Sequence, residues 1–295
     1  MRKPKETLTW LIGCYENSQY FTSLGYKTQA SYRQLSGYVL RWAKTMRDPL
    51  LHNLTTPKLL EFLAPFEDRR SLRHHLGAYL AVVFEFGRRT GALTDNPARR
   101  LGLKRAKRLK PIRIVDVGQV LALAAKARDM GMPYVAIGTL LHFDLGQRQG
   151  DVLRLQKPRD YRDGVFHFHQ AKTDQIVTIR PFMAETRAAL DALPADQTTL
   201  VANQFKNPVN AKAYARDFRR VATACGFADL WEMELRHSCV IYMERAGLTP
   251  GEIATRTGHT LASVIQILES YRYRDPVVAS QGAAKLEEYR LQSSP

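Results

Sequence analysis

Apolar residues recur at intervals of three and four through most of the chain, the period of helices buried along one face. Leu8, Leu11, Ile12 and Tyr15 make one such stripe, and Tyr32, Leu35, Val39, Trp42 and Met46 make a second, with Thr28 placed to cap it. Thr56 followed by Pro57 reads as a cap and first turn for a short helix reaching Phe62. Leu72, Leu76, Tyr79, Leu80, Val83 and Phe84 define a longer helix, closed near Gly91 and Asn96-Pro97. Residues 1–98 therefore predict a helical bundle with no strand.

The second half opens with a capping pair, Asp116 and Gln119, ahead of Val120, Leu121 and Ala124. The period then shortens. GVFHFHQAKT and QIVTIRPF are β-branched and aromatic runs on either side of a turn at Thr173-Asp174, which predicts a hairpin or small antiparallel sheet. Helical spacing returns at Thr186 and continues through AYARDFRRVATAC and LRHSCVIYMERAG. Thr249, Pro250 and Glu252 make a capping box for a short helix that Gly258 ends. Val264, Ile267, Leu268 and Tyr271 share a face of the next helix, and Val277 to Leu291 form a weakly amphipathic last one. The expected fold is mainly α with a small antiparallel β-sheet. It divides into a helical domain over 1–98, a linker over 99–114 and a mixed domain over 115–295.

Charge gives this layout a partner. The formal net charge is +16, and the basic excess is concentrated in the first third. Lysines and arginines that neutralise phosphates release condensed counterions, so such a balance points to a polyanion. The stretch RRLGLKRAKRLKPIR contains Arg99, Arg100, Lys104, Arg105, Lys107, Arg108 and Lys110 and no acid. It reads either as a solvated linker or as a strap along nucleic acid, and its place between two folded halves favours the strap. Cys14, Cys225 and Cys239 are widely spaced and include no C-x-x-C pair, so a disulfide framework and a zinc site are both disfavoured. No apolar run reaches the ~18 residues of a membrane helix. MRKPKETLTW has no signal core, so a cytoplasmic, nucleoid-associated protein is expected.

The chemistry gathers between Arg236 and Tyr271, where LRHS, GHT and ILESYRYRD set out an arginine, a histidine and a tyrosine. Taken singly, Arg236 reads as a helix-surface residue, His259 as a helix-end cap and Tyr271 as a core tyrosine. Jointly they supply a phosphate-gripping cation, a hydrogen-bonding ring and a nucleophile. There is no Walker-type glycine loop and no carboxylate cluster, and His167 and His169 fall on one strand face without a ligand partner. Dependence on ATP, a metal or another cofactor is not expected.

The motifs resemble those of the tyrosine recombinases, the phage-integrase type. LGQRQGDVLRL is similar to the family's first arginine box and maps its catalytic arginine onto Arg148. QAKT resembles its lysine site at Lys172, ELRHS its second arginine box at Arg236, RTGHT its histidine-or-tryptophan position at His259, and ILESYRYRD its nucleophile segment at Tyr271. Tyr273 is the competing tyrosine, but the register favours Tyr271. The resemblance implies a site-specific recombinase that cuts and rejoins double-stranded DNA through a 3′-phosphotyrosyl link. It also implies an N-terminal core-binding domain, a homotetramer on DNA with the last helix packed on a neighbouring subunit, and accessory DNA-bending or excision factors. With helices starting near residue 7, no additional arm-binding domain is expected. Two departures stand out. Where the family has a histidine three residues before the second arginine, this chain has Met233, with His237 as a substitute imidazole approaching from another direction. The family's tryptophan on the first catalytic-domain strand is also missing. The Met233 departure keeps open a recombinase-fold DNA-binding regulator with weakened or lost catalysis. A topoisomerase using the same tyrosine chemistry is the third reading.

Overall fold

The structure, a computed structural model, describes residues 6–103, 113–272 and 276–292, without the side chain of Tyr271 and a few beyond it. The chain divides into two compact units, residues 1–110 and 111–295.

The first unit contains helices α1 (Leu8–Glu16), α2 (Gln19–Thr22), α3 (Tyr26–Thr45), α4 (Thr56–Leu63) and α5 (Arg70–Arg89), with no strand among its described residues. Thr7 and Ser18 cap the first two, each accepting a hydrogen bond from a backbone N–H three residues on. Leu11, Tyr15, Phe21, Leu35, Val39, Leu59, Leu76, Tyr79 and Val83 meet in one buried core. Two caps differ from the sequence expectation. Thr28 lies inside α3, because the chain already turns helical behind Gly25. Thr56 is helical rather than a cap, and its hydroxyl donates to the Pro97 carbonyl at 2.8 Å, tying α4 to the segment after α5. The buried face of α3 is rotated toward Ser36 and Ala43, which leaves Trp42 half-buried against the Phe62 ring at 4.8 Å.

The second unit is built on α6 (Val117–Asp129) and α7 (Pro133–Leu145), the former opened by the Asp116–Gln119 capping box. Every residue of α7 from Val135 to Leu145 is buried, so this helix is the axis of the unit's core. It ends at Gly146 with φ +60°, where a β-carbon would also stand 2.8 Å from Thr257. One turn, α8 (Gln149–Val152), leads into a three-stranded antiparallel sheet: β1 (Tyr161–Arg162), β2 (Val165–His169) and β3 (Ile176–Ile179). Phe166 pairs with Ile179 and Phe168 with Val177, all four facing the core, so the alternation turns His167 and His169 outward. Then follow α9 (Ala184–Asp191), α10 (Ala211–Ala224), α11 (Glu232–Arg245), α12 (Pro250–Thr257), α13 (Leu261–Arg272) and α14 (Pro276–Gln292). The Thr249–Glu252 box opens α12, and Gly258 ends it with φ +64°. Cys239, Val240, Met243, Ile253, Val264 and Leu268 make a smaller core that fastens α11, α12 and α13 together. The mainly helical fold with one small antiparallel sheet is thus as the sequence predicts. None of the helices, among the described residues, is long and apolar enough to cross a membrane.

Candidate active site

Arg236 sits in the second turn of α11 with only 1% of its surface exposed. A buried guanidinium requires partners. Its Nε donates to His259 Nε2 at 2.9 Å and its Nη2 to the Thr257 carbonyl at 3.4 Å, whereas Nη1 is buried without a hydrogen-bond partner among the described residues. Burial, followed by the nearby charge of Arg148, pushes its pKa down to about 9, so it remains a cation at neutral pH.

His259 is fixed by the end of α12. Because Arg236 Nε can only donate, His259 Nε2 accepts, and the ring proton belongs on Nδ1, 2.7 Å from Thr257 Oγ1. Thr257 in turn donates its hydroxyl to Ile253 O at 2.7 Å. The ring is neutral: burial first, then the charges of Arg236, Arg148 and His237, hold its pKa down to about 3.

Arg148 occupies the N-cap of α8 and is 24% exposed. Its Nη1 donates to Gln170 Oε1 at 3.0 Å and lies 4.0 Å from Asp151 Oδ2. Asp151 is buried and accepts from the backbone N–H of Ala171 and from Arg154 Nη2, both at 2.8 Å, which pins the stem of the β2–β3 turn. Lys172 follows Ala171 on that turn. It is exposed and makes no hydrogen bond or ion pair among the described residues. Gln147 and Gln170 lie between these groups, both buried and both donating to the Thr257 carbonyl, at 3.2 and 2.9 Å.

The structure therefore brings Arg148, Arg236 and His259 together and sets the Lys172 turn beside them. Tyr271 has its backbone in the last turn of α13, whose Val264 and Leu268 are buried; its side chain, and all of Tyr273, lie outside the described residues. Met233 is in the first turn of α11 and 45% exposed, while His237 is half-buried and close enough to His259 to bear on its charge. Arg99 and Arg100 are exposed. Lys104, Arg105, Lys107, Arg108 and Lys110 lie outside the described residues. Asp151, Gln147, Gln170 and Thr257 escape a reading by motif, since none carries a distinctive charge pattern. Spacing alone marks them: Asp151 is three residues past Arg148 on one helical turn, and Gln170 two residues before Lys172.

Solved structures share this arrangement of elements. Lambda integrase, seen as a dimer bound to a COC′ core site, superposes with a TM-score of 0.76 at 19% identity, over 91% of this chain and 79% of that one. The chain has the integrase fold. A lambda integrase tetramer bound to a Holliday junction gives a TM-score of 0.73 at 19% identity, covering 86% of this chain and 77% of the other. The Tn1549 transposon integrase in complex with a circular intermediate DNA gives 0.68 at 13% identity, covering 95% and 99%. No family model matches the sequence, and neither does any curated protein. The integrase fold is thus carried by a sequence at most 19% identical to these integrases.

Proposed function

We propose that this chain is a site-specific tyrosine recombinase that cuts and rejoins double-stranded DNA. The observation that carries the reading is the convergence of Arg236, its Nη1 unpartnered among the described residues, on Arg148 and a neutral His259, beside the Lys172 turn. Two cations held this close raise each other's electrostatic energy, and a phosphate placed between them relieves it. Planar guanidinium forks bind phosphate oxygens and stay charged as the transition state gains charge.

In the proposed reaction the Tyr271 phenol gives up its proton to solvent and its oxygen attacks phosphorus. The bond to the 5′ oxygen breaks, and a 3′-phosphotyrosyl ester forms. Lys172 gives a proton to the departing 5′ oxygen. Arg148 and Arg236 hold the nonbridging oxygens, and His259 holds Arg236. The ester keeps the free energy of the broken bond, so rejoining to a second 5′ hydroxyl needs no ATP. DNA-bound dimers and a junction-bound tetramer among the integrases of this fold support assembly of four copies on two duplexes.

A second reading, a DNA-binding regulator with little or no cleavage, is favoured by Met233. A thioether can neither donate nor accept a catalytic proton, and one general acid–base group contributes roughly 10²-fold or more. Incubation with a random pool of nicked duplexes separates the two. The recombinase forms an SDS-resistant adduct that Tyr271→Phe abolishes, Tyr273→Phe leaves and chelator does not diminish; tight binding without any adduct is the regulator's outcome.

A further inference from the structure

Gln170 makes an unusual set of bonds for an uncharged residue. It is 1% exposed and stands at the base of the β2–β3 turn. Its Oε1 accepts from Arg148 Nη1 at 3.0 Å and from Thr173 Oγ1 at 2.7 Å. Its Nε2 donates to Gln147 Oε1 and to the Thr257 carbonyl at 2.9 Å. That same carbonyl accepts from Arg236 Nη2 at 3.4 Å, and the Thr257 hydroxyl lies 2.7 Å from His259 Nδ1. One amide therefore spans the distance from one guanidinium to the support of the other, and fastens the turn that presents Lys172. The surroundings are shaped to it. A β-carbon at Gly258 would come 2.4 Å from Gln170 Nε2, so the glycine that ends α12 also makes room for the amide.

We infer that Gln170 is the positioning residue of the site, a neutral clamp that sets Arg148 against Arg236 without drawing on the charge of either. A carboxylate could accept from Arg148, but it would neutralise the cation and lose both donations. An apolar side chain of equal volume would fill the space and orient nothing. The chemistry thus selects an amide. The inference rests on the recombinase reading above, and it adds to it the residue that keeps the two arginines in register.

The test is a double-mutant cycle on single-turnover adduct formation, using the full chain and the nicked duplex that the wild type selects from the random pool. Gln170→Met is expected to lose about 10²-fold, the scale of losing an aligned charge-stabilising donor. In an Arg148→Ala background the same change should cost nothing further, because the clamp then has no arginine to set. A methylphosphonate at the scissile position removes the charge that Arg148 stabilises, so it should also erase the Gln170→Met defect. Thr173→Val, on the exposed turn, strips one hydrogen bond from Gln170 and should give a smaller loss that likewise vanishes with Arg148→Ala. Wild-type rates for Gln170→Met, or losses that multiply in the double variant, overturn the inference while leaving the recombinase standing. If the wild type forms no adduct at all, the recombinase reading falls. The clamp is then decided by ¹⁵N spectra of the arginine side chains: separate Arg148 Nη signals that merge in Gln170→Met support it, and signals unchanged by the substitution refute it.

Discussion

Arg236 and His259 show how a pair of residues legible in sequence can hold a relation that is not. Both stand in recognisable motifs, and their proximity follows from the packing of α11 on α12. Which nitrogen of the ring carries the proton, however, depends on Thr257 and on the Arg236 Nε proton, neither of which has a signature in the chain. The geometry makes His259 an acceptor from Arg236, which a direct phosphate donor would not be. His259→Gln keeps an acceptor and should retain adduct formation to within about tenfold. His259→Trp presents only a donor toward Arg236 and should lose about 10²-fold, the cost of misplacing one transition-state contact. Equal rates for the two variants would show that the ring's acceptor does not matter.

Among the elements, the capping boxes at Asp116 and Thr249 are written locally, in side chains that bond backbone within a single turn; the stop at Gly258 is local too, set by a left-handed backbone, and the hairpin at Thr173-Asp174 by the alternation of its two strands. The rest depends on tertiary context. Thr28 has the chemistry of a cap, but the helix begins earlier, and Thr56 spends its hydroxyl on Pro97, far away in sequence. The single turn α8 and the two-residue β1 are too short to leave a period. Gly258 is where local and distant demands coincide, since its φ of +64° favours glycine and its missing side chain accommodates Gln170. Gly258→Ala should destabilise the protein by roughly 1–3 kcal/mol, the range for backbone strain at a site that packing over-determines. Urea denaturation measures it, and an unchanged midpoint would mean that α12 ends without strain.

At the scale of the whole molecule, charge and proton binding govern behaviour in solution. His142 on α7 is fully buried, and burial holds its pKa down to about 4, while His259 is held to about 3. Both values lie below the ~6.5 of a histidine in an unfolded chain, so the unfolded state takes up more protons between those limits. Stability is therefore fully present above about pH 6.5 and lost as pH falls, by up to about 1.4 kcal/mol per pH unit for each ring. His142→Phe keeps a ring in place and should roughly halve the acid slope of the unfolding free energy; an unaltered slope would assign the acid sensitivity elsewhere. The +16 charge makes the complementary prediction for DNA. Replacing the exposed Arg99 and Arg100 together by alanine should flatten the dependence of log K on log salt by up to about 2, whatever the duplex sequence. An unchanged slope would place the segment off the phosphates.

The central claim is a covalent one, and mass spectrometry of the trapped complex meets it most directly. Nuclease and protease digestion of the SDS-resistant adduct should leave a nucleotide 3′-phosphate esterified to the tyrosine of the peptide ending α13, at Tyr271. A nucleotide on any other residue, or DNA bound tightly and recovered with no peptide attached, would contradict it.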